Sequence, residues 1–307
     1  MGNGSGNASE KRTGSRGTPT GVTAGPAATR FYRQSVLPYY QRFGSRWGYA
    51  MLLGRTRHFG WYEPGQSPWA FAASMRRMET IAARKLALPA GSPVLDAGCG
   101  VGDVARTVAA RSGVHVTGID GIESDIALAR RRSAQTPGAA RATRFLVGDY
   151  HALPFADGSF DGLYTMESFV HSADPGRALS EFFRVVRPRG RLVMFEYSRT
   201  PSAELTPEAE SVLTDVCELA AMPGMLMLPH GRLGQLLGGA GFEVESVADV
   251  TAHVLPMLRA FSLLGRVPYA VARSVGRGEL LVNAMSGVEL YRHQETWRYS
   301  ITTAVRP

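Results

Sequence analysis

The sequence predicts an α/β protein built on a doubly wound, mostly parallel sheet of seven strands. Three features predict it. Short apolar runs alternate with amphipathic stretches from about 93 to 198, a glycine-rich turn follows the first of those runs, and two more β-rich runs lie near the C-terminus. A length of 307 residues with 44% apolar composition is enough to bury one large core with additions.

Residues 1–28 hold Gly, Ser, Thr, Ala and Pro with almost no bulky apolar side chain. They cannot bury enough surface to offset their ordering entropy and are expected as a disordered tail. An N-terminal helical cap is expected over 29–88. Its first part, FYRQSVLPYYQRFGSRWGYAMLLGRTRHFGWYEPG, is dense in aromatics and is broken into short helices and turns by Pro38 and several glycines. A helix follows at about 68–86, where Phe71, Met75, Met78 and Ile81 recur at three- to four-residue steps.

The core, 89–307, then reads strand PVLDAG, helix DVARTVAARS, strand HVTGID, helix ESDIALARRRSAQ, strand RFLVGD, strand FDGLYTM, helix PGRALSEFFRVV and strand GRLVMFEY. Apolar strands separated by amphipathic helices imply a parallel sheet covered on both faces. FEVESVADVT and ETWRYSITTAVRP supply the last two strands. Apolar helical pieces at 212–228 and 254–272, rich in Leu and Met, belong to expected lid insertions at about 205–230 and 254–282.

Composition excludes several classes of function. With no apolar run of about 18 residues and no charged-then-apolar leader, a soluble, cytoplasmic chain without stable membrane insertion is expected. Cys99 and Cys217 make no disulfide framework and sit in no zinc spacing, so no metal is expected. The formal charge is +8, part of it from Lys11, Arg12, Arg16 and Arg30 against Glu10. No recognition motif accompanies that charge, so no nucleic-acid partner is expected.

Candidate chemistry begins at VLDAGCGVG, where a strand ends in Asp96 and turns through Gly98, Gly100 and Gly102 into a helix. Side chains at those glycines would keep a ligand from the backbone. The dinucleotide fingerprint places its third Gly three positions after the second; here the interval is two, and an acidic residue precedes the first. That arrangement resembles motif I of class I S-adenosylmethionine-dependent methyltransferases, a Rossmann-like family, and implies S-adenosyl-L-methionine as cofactor. Asp120, followed by Gly121, closes the second strand, where a carboxylate can accept both ribose hydroxyls. Asp149 closes the third. The resemblance places it on the adenine amine, with Tyr150 and Leu153 bordering the ring, and places Asp96 near the methionine part. The alternative is that each carboxylate caps the following helix or turn.

Ligands bind at the carboxyl ends of strands in open α/β sheets, so Met166, Glu167, Ser168 and His171, after the fourth strand, should lie beside the reacting methyl. Glu167 and His171 are read as catalytic, as base or cation stabiliser, and also as cofactor contacts. The alternatives are a cofactor-orienting or helix-starting Glu167 and a packed His171.

The segments FYRQSVLPYYQ, RWG and RHFGWYEPG before the core, with YTMESFVHSADP after the fourth strand, resemble the sterol and tocopherol C-methyltransferase branch. Within it, the chain is most similar to bacterial prenyl-indole C-methyltransferases of the teleocidin type. The resemblance implies a cap closing over the cofactor, with Tyr32 catalytic, Tyr40 on the cofactor, and Tyr32, Trp61 and Tyr197 on the substrate. Tyr39, Trp47, His58 and Gly60 are further lining candidates, the alternative being that these aromatics pack the cap onto the core. The implied reaction is methylation of an alkene in a prenylated or terpenoid small molecule, with cation-driven cyclisation. O- or N-methylation, a non-methylating pericyclase and a regulatory cofactor-binding protein remain alternatives. A homo-oligomer is expected, since an aromatic N-terminal segment beyond the core is easily exchanged between copies.

Overall fold

The computed structural model describes residues 1–2 and 56–307. Most of the expected tail, much of the cap, and Tyr32, Tyr39, Tyr40 and Trp47 lie outside the described residues.

Seven strands form one sheet: β1 (Pro93–Ala97), β2 (His115–Asp120), β3 (Thr143–Val147), β4 (Phe160–Met166), β5 (Val186–Arg199), β6 (Glu243–Asp249) and β7 (Trp297–Val305). Their order is β3-β2-β1-β4-β5-β7-β6. The first five run parallel, while β7 is antiparallel to both neighbours. The strand order reverses beside β1, between the β2 and β4 sides, which opens a crevice at the carboxyl ends there. The two C-terminal runs read from sequence thus pair with each other, and the last of them inserts between β5 and β6.

Ten helices are described: α1 (Phe71–Leu86), α2 (Asp103–Ser112), α3 (Glu123–Gln135), α4 (Ala139–Ala142), α5 (Pro175–Val185), α6 (Pro207–Leu219), α7 (Pro223–Leu226), α8 (Arg232–Gly239), α9 (Thr251–Ser274) and α10 (Val282–Arg292). Two apolar clusters fill the two faces of the sheet. One gathers Met78, Val108, Ile126 and Val254 from α1, α2, α3 and α9 over Val94, Tyr164 and Val193. The other gathers Leu179, Phe182 and Leu237 from α5 and α8 against Leu95, Leu163 and Met194. The central strands are buried on both sides, which is why they read as continuous apolar runs.

Helix α5 shows how the sequence sets an element. Asp174 accepts the Arg177 N–H at 2.9 Å as its cap and Pro175 opens the first turn. Ala178, Leu179, Phe182 and Val185 then fall on one buried face. Burial of the larger of these side chains stabilises the fold by about 1.5–3 kcal/mol each.

Three expectations shift. The helix expected from 68 starts at Phe71. The piece expected at 212–228 is two helices, α6 and α7, because Pro223 has no N–H to donate and disfavours helical geometry just before it. Helix α8 went unread, since RLGQLLGG carries glycines that lower helix propensity. It forms because Leu233 and Leu237 are buried.

Candidate active site

The crevice begins at the glycine turn. Gly98, Gly100 and Gly102 all have positive φ, at 88°, 49° and 73°. A Cβ at Gly98 would lie 2.3 Å from that of Ser168, and one at Gly102 would lie 2.6 Å from the Phe145 ring. At Gly100 it would meet nothing within 4 Å. The turn is thus packed hard at its ends and open in the middle, a cradle in which a ligand can reach the backbone.

Around it stand the three strand-end carboxylates. Asp120 takes the Gly100 N–H on Oδ2 at 2.9 Å and the Ile122 N–H on Oδ1 at 2.8 Å, and Gly121 forms the bend between. Each oxygen keeps further acceptor capacity for a hydroxyl. Burial pushes Asp120 above the usual carboxylate range, and the two N–H groups oppose it. Asp96 is buried and accepts the Tyr164 hydroxyl on Oδ2 at 2.7 Å across the β1–β4 pair. Burial pushes it up to about 7, against the Tyr164 hydrogen bond. Asp149 takes both the backbone N–H and the ring Nδ1 of His151 on Oδ1, at 2.8 and 2.6 Å. Burial raises its pKa, but the His151 contacts outweigh burial and hold Asp149 below the usual range. The Tyr150 hydroxyl donates to the Ser168 carbonyl at 3.0 Å.

Beyond β4, where Met166 is buried, the chain turns at Glu167 with φ 54°, an uncommon value for a residue with a side chain. The turn delivers its carboxylate to donors from three distant places. Phe59 N–H and Tyr299 OH reach Oε1 at 2.6 and 2.8 Å, and Tyr197 OH reaches Oε2 at 2.5 Å. Burial pushes Glu167 up; Tyr197, Phe59, His58 and Tyr299 pull it part of the way back. Phe59, Tyr197, Trp297 and Tyr299 form one aromatic cluster here, with ring centroids 5.2–6.3 Å apart. Trp297 and Tyr299 are fully buried and back the site.

His171 ends the short 3₁₀ turn Phe169–His171. Its Nδ1 donates to the carbonyl of Ala221 at 2.7 Å, and Ala221 itself has φ 54°. Burial lowers His171 to about 4, so the ring is neutral at neutral pH. With the proton on Nδ1, Nε2 carries the lone pair.

A strap of the chain crosses these strand ends. Thr56 Oγ1 donates to Asp103 at 2.5 Å, Arg57 to Asp125 at 2.6 Å, and His58 pairs with Glu79 at 3.4 Å. Phe59 N–H reaches Glu167, Gly60 N–H lies 3.1 Å from the Met257 sulfur, and the Trp61 ring stacks on His253 at 3.7 Å. A Cβ at Gly60 would fall within 2.5 Å of the Ser74 side chain, so the strap can lie this close to α1 only with glycine there. Burial opposes charge on His58, but Glu79 and the Phe59 carbonyl outweigh it and raise the pKa of the ring.

Sequence reasoning named His58, Gly60, Trp61, Tyr197, Glu167 and His171 but missed Phe59, Tyr164, His151, Trp297 and Tyr299. Trp297 and Tyr299 alternate along β7 in WRYSI, a period-2 pattern that marks one face of a strand without saying what that face meets. Among the described residues, no group of three or more His, Cys, Asp or Glu is placed to hold a metal. No described helix is long and apolar enough to cross a membrane.

A methyltransferase-domain family profile matches residues 95–194. The chain is 36% identical, over 90% of its own length and 96% of the relative's, to the S-adenosyl-L-methionine-dependent Diels-Alderase iccD of Talaromyces variabilis. It belongs to the S-adenosylmethionine-dependent methyltransferases. To the sterol 24-C-methyltransferase of Eremothecium gossypii it is 29% identical over 78% of this chain and 62% of that enzyme. Among solved structures, the [4+2]-cyclase SpnF shares the fold with a TM-score of 0.68 at 22% identity, covering 86% of this chain and 94% of that one. The methyltransferase therefore uses S-adenosylmethionine. The open cradle at Gly100 and the acceptor-rich strand ends fit that group, since a ribose and an adenine amine bring hydroxyl and N–H donors.

Proposed function

We propose that this methyltransferase methylates an alkene carbon of a prenylated or terpenoid small molecule, an indole alkaloid of teleocidin type being favoured, and that the resulting cation closes a ring. One observation carries this reading. Both oxygens of Glu167 are taken by Tyr197, Tyr299 and the Phe59 N–H within an aromatic cluster, while neighbouring His171 is neutral. A carboxylate so fully engaged is poorly placed to strip a proton from a phenol. It is a fixed negative charge among ring faces, which suits a passing cation.

The bound cofactor supplies an electrophilic methyl. Asp120 would hold its ribose hydroxyls, Asp149 with Tyr150 would hold its adenine, and Asp96, Met166 and the 98–102 turn would border its methionine part. An alkene needs no deprotonation before it attacks, so the protein's task is to hold it in line and exclude water, which the strap at 56–62 and the Tyr197 ring perform. Methyl addition leaves a carbocation on the substrate, facing the aromatic rings and Glu167. The neutral ring of His171 then removes a proton. Tyr32, Tyr40 and Trp61 complete the proposed contacts from the cap.

A second reading is a pericyclase that keeps the cofactor bound and transfers no methyl. The 36% identity to a Diels-Alderase over nine tenths of the chain favours it. Methyl-labelled S-adenosylmethionine, incubated with prenylated indoles, sterols, phenols and linear polyenes, separates the two. We expect label on a prenyl carbon, and uncyclised or redirected products from His171→Ala. Ring closure without label establishes the pericyclase, and label on oxygen or nitrogen overturns both.

A further inference from the structure

The third strand end holds more than a carboxylate. Asp149, His151 and Ser172 form a line: Asp149 Oδ1 to His151 Nδ1 at 2.6 Å, and His151 Nε2 to Ser172 Oγ at 2.7 Å. His151 and Ser172 are buried, Ser172 completely. One arrangement satisfies every atom: Ser172 O–H donates to Nε2, and Nδ1–H donates to the carboxylate. The His151 backbone is tied as well, its N–H to the same Oδ1 at 2.8 Å and its carbonyl to Arg177 Nε at 2.7 Å. Complete burial of the serine keeps substrate from its hydroxyl, so the resemblance to a hydrolytic triad stops at its geometry.

What the line does is fix a carboxylate. Two donors converge on Oδ1, whereas no donor among the described residues reaches Oδ2, and the Asp149 side chain remains 30% exposed. Oδ2 is therefore held at the crevice edge as an acceptor. An adenine presents an N–H donor there; hypoxanthine, its deaminated counterpart, presents a carbonyl oxygen that a carboxylate repels. A freely rotating Asp would relieve that clash by turning away, and one pinned through His151 to Ser172 does not.

We propose that His151 is a positioning residue that sets base specificity, locking Asp149 so that the site accepts an adenine and rejects a hypoxanthine. This rests on the assignment of Asp149 to the adenine amine. The test is calorimetric affinity for S-adenosylhomocysteine and S-inosylhomocysteine in the wild type, Asp149→Ala, His151→Ala and Ser172→Ala. We expect the wild type to prefer the adenine form by on the order of a hundredfold. The preference should drop about tenfold in His151→Ala, with a smaller drop in Ser172→Ala, because the ring keeps its bond to Asp149 when only the serine is lost. If Asp149→Ala abolishes the preference and both other variants retain it in full, the positioning role is overturned. If Asp149→Ala itself discriminates like the wild type, the adenine assignment fails instead. Should His151→Ala not fold, Ser172→Ala carries the test, since it removes one hydroxyl and keeps the ring.

Discussion

The two halves of the site are built in different ways. On the cofactor side, the partners are near in sequence or on adjacent strands: Asp120 holds Ile122 two residues on, and Asp149 holds His151 two residues on. On the reacting side, the partners come from distant parts of the chain. Glu167 is bonded to Phe59 and Tyr299, 108 and 132 residues away, and His171 to Ala221, 50 away. A strand-end loop can prepare a nucleotide site from its own residues, whereas a pocket for an apolar acceptor needs walls brought from several elements. Damage to the first half should therefore appear in cofactor affinity, and damage to the second in turnover.

The largest expected effect tests the first half. Asp120→Ala removes two loop-ordering contacts together with the proposed ribose acceptor, and should weaken S-adenosylmethionine binding by about a hundredfold or more, measured by calorimetry. Wild-type affinity in a folded variant would falsify the ribose assignment. Glu167→Gln tests the second half. The amide is isosteric and the Tyr197 hydroxyl can reverse to accept from it, so shape is kept while charge is lost. We expect kcat to fall by about a hundredfold with cofactor affinity within a few-fold of wild type. A loss confined to affinity would erase the division between the halves.

A smaller effect concerns a carboxyl that belongs to neither half. Glu196, on β5, is completely buried; its Oε1 accepts from Thr165 and from the Phe169 N–H, and its Oε2 has no partner among the described residues. Burial pushes it up to about 8 from an ordinary 4.5, as burial pushes Asp96 to about 7 from 3.8. Between roughly pH 4 and 8 the folded chain then holds protons that the unfolded chain has released. The stability these groups contribute is complete at the acid end of that window, declines as pH rises through it, and is flat above. Urea unfolding at about pH 5 and pH 8 should show a smaller loss of stability in Glu196→Gln than in the wild type. Equal losses would mean that Glu196 is ionised throughout.

The contrast between the halves also explains which features were legible in the sequence. The glycine turn and the carboxylates at 96, 120 and 149 could be read because strand-end position follows from periodicity, and because the turn is packed at Gly98 and Gly102. Glu167 and His171 could be placed just beyond the fourth strand for the same reason. Their partners could not, since nothing local in WRYSI says that Tyr299 meets residue 167. His151, in GDYHALPF, carries no local sign that Ser172, 21 residues on, lies against its far nitrogen.

By itself the sequence determined the order of the seven strands along the chain, the helices that separate the first five, the open turn that fits a nucleotide, and the family. These depend on side-chain spacing within one element and on backbone freedom at a few glycines. The tertiary structure alone decided that β7 inserts antiparallel beside β5, which carries Trp297 and Tyr299 to the fourth strand's end, and that the strap at 56–62 meets Glu167 through the Phe59 N–H. It also decided the protonation of His171, because burial is a property of everything packed around a residue and not of the residues beside it in the chain.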